Sequence, residues 1–181
     1  LSKNPGNTVS NLSSTRALRD ITIKHNGIYH ASPVGEVNVV EKMKEVNAVI
    51  GGEGNGGVIY PELHYGRDAL IGVALFLTHL AKQGISAKAL RDSYPNYFIS
   101  KNKIELTAEI DVDSILSILK ENYKNEKITT IDGLKIDFDE GWVHLRKSNT
   151  EPILRIYAES EGKTKAHALC EQMIDEIQKL V

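Results

Sequence analysis

Apolar and polar positions fall into two regimes along this chain. From Val9 to Ser93 short apolar runs alternate with stretches of helical spacing. Val9–Ser14 reads as a strand end running into a Ser/Thr-rich turn. Thr15–His25 follows as a helix with Leu18, Ile21 and Thr22 inward, stopped at Asn26-Gly27. Ile28–Ala31 is a short strand and Ser32-Pro33-Val34-Gly35-Glu36 a loop. Val37–Glu45 is a helix with Val39, Val40 and Met43 on one side. Ala48–Ile50 is a strand that stops at a glycine loop, and Val58–Tyr60 a strand beyond it. Arg67–Gln83 is the clearest helix. It is apolar on nearly every face, so the pattern predicts burial between layers, with Gly84 just past its end. Ser86 caps a short helix to Ser93. Strands alternating with helices predict an α/β three-layer domain with a mainly parallel sheet over residues 1–95.

The order of elements then changes. Pro95, Asn96, Ser100 and Asn102 mark 96–103 as a linker. Asp111 caps a helix to about Tyr123, with Ile115, Leu116, Ile118 and Leu119 inward. Three closely spaced strands follow: Ile128–Ile131, Leu134–Phe138 and Trp142–Arg146, joined by the turn signals Asp132-Gly133 and Glu140-Gly141. After a polar turn come the strand Ile153–Glu159 and a closing helix, Lys163–Leu180. Ala166, Leu169, Met173, Ile174, Ile177 and Leu180 recur there at helical spacing. Residues 104–181 therefore predict an α+β domain, an antiparallel sheet with helices packed on one face. No internal repeat or low-complexity tract interrupts either half.

Two loops carry chemistry. The turn Arg146-Lys147-Ser148-Asn149-Thr150 offers a guanidinium, an ammonium, two hydroxyls and an amide between two apolar strands. A guanidinium grips two phosphate oxygens at once, and backbone N–H groups in a tight turn add a concave anion nest. The alternative is an ordinary hairpin turn whose Ser, Asn and Thr bond the nearby backbone. The second loop, Gly51-Gly52-Glu53-Gly54-Asn55-Gly56-Gly57, lets backbone approach a ligand closely. A carboxylate (Glu53) and an amide (Asn55) at the end of a buried strand suit sugar hydroxyls, and open α/β sheets place ligands there. The alternative is a surface loop whose glycines only turn the chain. It is neither a P-loop nor a dinucleotide fingerprint, because no Lys-Ser or Lys-Thr follows and no regular glycine spacing opens a helix.

Composition narrows the partners. The 181 residues carry a net charge of -2, with 41% hydrophobic and 25% charged residues, which argues for a globular protein and against a nucleic-acid binder. No run is long enough to span a membrane and no signal peptide opens the chain. Cys170 has no partner for an intrachain disulfide, so a reducing cytoplasm is the expected location. The six histidines show no metal-ligand spacing, and no Ser–His–Asp arrangement can be argued. These residues support binding better than catalysis, and no catalytic or metal-ligating residue is assigned.

Together the loops resemble the α-D-phosphohexomutase family: phosphoglucomutases, phosphomannomutases and phosphoglucosamine mutases. Arg146-Lys147-Ser148-Asn149-Thr150-Glu151-Pro152 is similar to the phosphate-binding loop of that family's fourth domain. Gly52-Glu53-Gly54-Asn55-Gly56-Gly57 stands in the place of the third domain's sugar loop, usually Gly-Glu-x-Ser-Gly-His; here Asn55 replaces the Ser and Gly57 the His. Ser32-Pro33-Val34-Gly35-Glu36 resembles the Thr-Pro-Val-Gly loop of the same cleft. The resemblance implies a domain 3 over 1–95 and a domain 4 over 104–181, with a hexose phosphate as ligand. Arg146, Ser148, Asn149 and Thr150 would bind its phosphate, Glu53 and Asn55 its sugar, and Ser32, Val34 and Gly35 would line the cleft.

The family interconverts hexose 1-phosphate and 6-phosphate through a phosphoserine and a hexose 1,6-bisphosphate intermediate, with Mg2+ on an Asp-rich loop. Neither the serine loop nor the Asp-rich loop is found between Leu1 and Val181. The chain starts at Leu1 rather than Met, which suggests a fragment or a processed product. The implied arrangement is the C-terminal half of a phosphohexomutase, partnered by N-terminal domains of the same parent and inactive alone. The rivals are a complete, non-catalytic sugar-phosphate-binding protein and an interaction domain that keeps the fold with no ligand.

Overall fold

The structure, a computed structural model, describes residues 1, 4–107, 110–148 and 150–180. The chain divides into two compact units, Leu1–Asn96 and Tyr97–Val181.

The first unit is built from β1 (Thr8–Asn11), α1 (Ala17–Lys24), β2 (Tyr29–Ser32), α2 (Glu36–Glu45), β3 (Ile50–Gly52), β4 (Val58–Tyr60), β5 (His64–Arg67), α3 (Ala69–Gln83) and α4 (Ala87–Asp92). Its sheet runs β2-β1-β3-β4-β5. The first three strands are parallel, and β4 and β5 extend the sheet antiparallel. The fold is thus α/β with a parallel centre and an antiparallel edge. Val9, Val39, Met43, Ala48 and Ile59 form its core, sealed where α2 crosses the sheet. β3 lies later than the apolar run predicts, because Gly51 and Gly52 themselves pair with Val9 and Ser10. A side chain at Gly51 would collide with the Met43 thioether, so a residue that looks like loop is strand for a packing reason.

Helix α3 ends at Gln83 as predicted but starts at Ala69, because Arg67 belongs to β5 and Asp68 caps the helix. Asp68 accepts from the N–H groups of Leu70 (2.8 Å) and Ile71 (3.1 Å), and Gly84 closes the helix in the left-handed region at φ 64°. Its predicted burial is overturned: none of its residues is buried, and Leu70 is 81% exposed. The helix packs against β4. Fifteen residues of helix span about 22 Å, whereas the three residues of β4 span about 10 Å, so most of the helix outruns the strand beneath it.

The second unit comprises β6 (Tyr97–Glu105), α5 (Val112–Asn122), β7 (Lys127–Thr129), β8 (Leu134–Phe138), β9 (Gly141–Lys147), β10 (Ile153–Glu161) and α6 (Lys163–Gln178). Its sheet runs β6-β10-β9-β8-β7 and is antiparallel throughout. The cross-strand registers put Leu134, Ile136, Val143, Leu145, Leu154 and Ile156 on one face. They join Ile115, Leu119, Met173 and Ile177 of α5 and α6 in one core, so both helices cover the same side of the sheet.

The expected linker at 96–103 is strand instead. β6 pairs with β10 along its whole length, from Tyr97 opposite Glu161 to Glu105 opposite Ile153. Two of the residues that suggested a linker, Ser100 and Asn102, form a seam beneath α6. Ser100, 2% exposed, lies 2.9 Å from His167 Nδ1, and Asn102 Nδ2 donates to Cys170 Sγ at 3.2 Å. A buried polar residue with a partner is compatible with a strand interior.

Candidate functional site

In the first unit the chain visits β1, then β2 on one side of it, then β3 on the other. Adjacent parallel strands whose connections leave in opposite directions open a crevice at their carboxyl ends. Asn11, at the end of β1, donates through Nδ2 to Glu53 Oε1 at 3.0 Å. Its Oδ1 accepts from Ser13 N (3.1 Å) and Ser14 Oγ (2.9 Å), which fixes the amide's orientation. The glycine loop closes on itself: Glu53 N donates to Gly57 O at 3.0 Å, and Gly57 N donates to Asn55 Oδ1 at 3.1 Å. Gly56 takes φ 91°, a backbone state that side chains avoid.

Arg67, at the end of β5, ties this loop to the next. Its Nη1 lies 3.2 Å from Glu53 Oε2. Its Nε donates to Glu36 Oε2 at 2.8 Å, and its backbone N donates to Glu36 Oε1 at 3.0 Å. Those hydrogen bonds hold the Glu36 carboxyl below its ordinary value. The Glu53 side chain is 7% exposed and anchored at both oxygens. Asn55, in contrast, lines an open cleft of ≈ 480 Å³ together with Glu36, Gly56, Gly57, Arg67 and Ala69.

The Ser32–Glu36 loop contributes mainly through Glu36. The Ser32 hydroxyl is buried and donates to Pro33 O at 3.0 Å. Val34 O accepts from Asn38 Nδ2 at 2.9 Å, and Gly35 leads into α2 at φ 125°, which favours glycine.

In the second unit the polar turn joins β9 to β10. Arg146 and Arg155 are cross-strand partners, and Lys103 of β6 is the partner of Arg155 on its other side. Directly paired residues project from the same face, so three cations stand in a row across three strands. Like charges side by side repel. Each has an acid: Lys103 Nζ lies 2.6 Å from Glu105, Arg155 Nη2 2.8 Å from Glu151, and Arg146 Nη1 3.8 Å from Asp132. Arg155 Nη2 also donates to Ser148 Oγ at 3.4 Å. Its Nε is buried with no hydrogen-bond partner among the described residues. Thr150 N donates to Ser148 Oγ at 3.4 Å, and Ser148 N to Ile153 O at 2.9 Å. Asn149 lies outside the described residues. Lys147 pairs with Leu154 and so projects from the opposite face to Arg146.

Behind Arg146, His144 Nε2 donates to the backbone O of Asp132 at 2.7 Å. Burial keeps its imidazole neutral, with a pKa of about 4. It thereby pins the turn that carries the counter-ion of Arg146. Among the described residues no group of three or more His, Cys, Asp or Glu could hold a metal ion.

The sequence points to the two loops and places Glu36 in the cleft loop without a role, but Arg67, Asn11, Arg155, Lys103 and Asp132 escape it. Arg155 had a signal. Once β9 and β10 are joined by the turn 148–152, pairing outward from it puts Arg155 opposite Arg146. Arg67 and Lys103 had none, since Arg67 meets Glu53 of the glycine loop and Glu36 of α2, and Lys103 stands beside Arg155 of β10, all distant in sequence.

Comparison with known proteins gives both units a family. The family model described as phosphoglucomutase/phosphomannomutase, alpha/beta/alpha domain III, matches residues 1–97, and that of the phosphoglucomutase/phosphomannomutase C-terminal domain matches 102–176. A phosphoglucosamine/phosphogalactosamine mutase of Sulfurisphaera tokodaii is 35% identical over 96% of this chain and 38% of its own length. A phosphoglucomutase/phosphomannomutase of Thermococcus kodakarensis is 37% identical over 92% of this chain and 36% of its own. The crystal structure of a phosphoglucomutase/phosphomannomutase family protein from Burkholderia thailandensis superposes with a TM-score of 0.78 at 25% identity, over 99% of this chain and 39% of that one. The chain therefore spans less than two-fifths of the length of these relatives.

Proposed function

The chain belongs to the phosphoglucomutase/phosphomannomutase family, and on that premise we propose that it is the sugar- and phosphate-binding part of a phosphohexomutase. The parent enzyme interconverts hexose 1-phosphate and hexose 6-phosphate through a phosphoserine and a hexose 1,6-bisphosphate. Arg146, Arg155, Ser148, Asn149 and Thr150 grip the phosphate that is not being transferred. Asn55 reads sugar hydroxyls from the cleft wall, and Glu53 does so from its anchored position behind it. Ser32, Val34 and Gly35 shape the loop that delivers Glu36.

The observation that carries this reading is the row Lys103–Arg155–Arg146 beside a hydroxyl-bearing turn. Three adjacent cations, two of them with exposed counter-ions, are poorly explained by stability, since exposed ion pairs contribute little. They are well explained by an anion that displaces those counter-ions and accepts from several donors at once. A sugar flanked by such a cradle can present either of its phosphates to it.

The nucleophilic serine and the Mg2+ ligands belong, in this reading, to the N-terminal domains of the same parent. The donor set here does not suit a metal, and no step is assigned to one. The buried thiol of Cys170 suits a reducing cytoplasm, and no helix of the described residues is long and apolar enough to cross a membrane. Glucosamine phosphate is the first substrate to test, because the Sulfurisphaera relative is named for that sugar and for galactosamine.

The test is calorimetric titration of glucosamine 6-phosphate and inorganic phosphate into the chain and its Arg146→Ala variant. Binding of both ligands, weakened in the variant, supports the reading; equal affinities for variant and unaltered chain remove the cradle. The purified chain, given Mg2+ and bisphosphate, should show no mutase turnover in a coupled assay. Turnover above background would mean that the chain carries a phosphoryl donor of its own.

A further inference from the structure

We propose that Arg67 is the positioning residue of the sugar site, and that Gly57 is glycine to make room for it. The inference rests on the reading of Glu53 as a sugar ligand and deepens it.

The geometry comes from three strand ends. Arg67 reaches from β5 across the glycine loop, with its guanidinium between two carboxylates, one from that loop and one from the first residue of α2. Nη1 faces Glu53, and Nε together with the backbone N–H holds Glu36. The planar, rigid fork of a guanidinium suits such a two-sided clamp, and an ammonium cannot reproduce it. Glu53 is held from the other side by Asn11. A buried carboxylate with both oxygens engaged keeps one orientation, which is what reading a hydroxyl requires.

Gly57 supplies the independent observation. A Cβ at this position would lie 2.5 Å from Arg67 Cδ and 2.9 Å from Cγ. The backbone does not demand glycine here, since Gly57 is absent from the positive-φ residues that include its neighbour Gly56. The stem of Arg67 does. The loop this sequence resembles carries a His at that place. Here an imidazole and the Arg67 stem would compete for the same space, so the arginine and the missing side chain form one device. Arg67 also lines the cleft of ≈ 480 Å³, which places the clamp on the ligand side of the loop.

The test compares two ligands, glucosamine 6-phosphate and inorganic phosphate, titrated into the chain. The readout is the ratio of their affinities, which a general loss of fold would not change selectively. The unaltered chain should prefer the sugar phosphate, and Glu53→Gln should reduce that preference. Arg67→Ala should reduce it by about tenfold, the size of one charged hydrogen-bonded contact, while inorganic phosphate binds as before. Arg67→Lys should rescue part of the loss, because one of the two carboxylates keeps a cation. Gly57→Ala should mimic Arg67→Ala, and the double variant should be no worse than either. If Glu53→Gln lowers the preference while Arg67→Ala or Gly57→Ala leaves it intact, the proposal is overturned and the sugar reading stands. If Arg67→Ala also weakens inorganic phosphate, Arg67 is itself a phosphate ligand and the positioning role is wrong. If the unaltered chain shows no preference, or Glu53→Gln changes nothing, the sugar reading fails and takes the clamp with it.

Discussion

The glycine loop of the first unit and the β9–β10 turn of the second both bring guanidinium groups to carboxylates, yet they treat the counter-ion differently. Around Arg67 the acids are fixed: Glu53 is 7% exposed, and Glu36 takes both a side-chain and a main-chain donor. Around the cation row they are loose. Glu151 is 54% exposed and Glu105 68%, and the Arg146–Asp132 contact is 3.8 Å long. A neutral polyol is read by acceptors that do not move, so the first arrangement suits hydroxyls. A phosphate must displace what the cations already hold, and exposed pairs, contributing about 0–1 kcal/mol each, yield readily. Fixed counter-ions select shape, and exchangeable ones admit charge.

The strongest way to break this contrast is to titrate the buried imidazole behind Arg146. His144 has a pKa of about 4 in the fold against an unfolded value of about 6.5. Between those values the unfolded chain binds the extra proton, so stability falls as pH drops from 6.5 towards 4 and is fully present above 6.5. The whole shift is worth on the order of 3 kcal/mol. Thermal melts across that window should therefore show an acid loss that His144→Gln flattens. Identical pH profiles would mean that His144 is not the buried neutral donor behind Asp132.

Next in size is the cation row. Arg146→Ala and Arg155→Ala should each weaken phosphate binding by about 1.5–3 kcal/mol, with the double variant losing less than the sum because both grip one anion. Additive losses in titration would split the row into two separate sites.

A smaller effect sharpens the distinction between loose and fixed acids. Glu151→Gln removes a competitor of the incoming phosphate and should tighten inorganic phosphate binding by up to about 1 kcal/mol. Glu36→Gln, on the other unit, should leave that affinity unchanged. If both variants behave alike, the counter-ions do not differ in kind.

The least effect belongs to Lys147. It projects from the face opposite Arg146 and is exposed, so Lys147→Ala should change stability and phosphate affinity by no more than about 0.5 kcal/mol. A loss matching that of Arg146→Ala would show general charge attraction rather than a directed grip.

Much of this protein was legible in its sequence because the signals are local. Helix limits at Gly84, Ser86 and Asp111 follow from capping chemistry within one turn of chain. The alternation Leu134, Ile136 and Val143, Leu145 places a core face by period alone. The two chemical loops stand out because their donors are consecutive residues. What failed was set by partners distant in sequence. The 96–103 stretch looked like a linker until β10 and α6 gave Ser100, Asn102 and the backbone their partners. Helix α3 looked buried because its composition is apolar, but burial depends on the area opposite, and β4 offers only three residues. Asn11 and Arg67 meet Glu53, and Arg67 meets Glu36, only because the sheet brings the ends of β1, β3 and β5 together. Periodicity and capping can be read from neighbours a few positions apart; which side chains face one another across a sheet edge is settled only when the strand order brings them together.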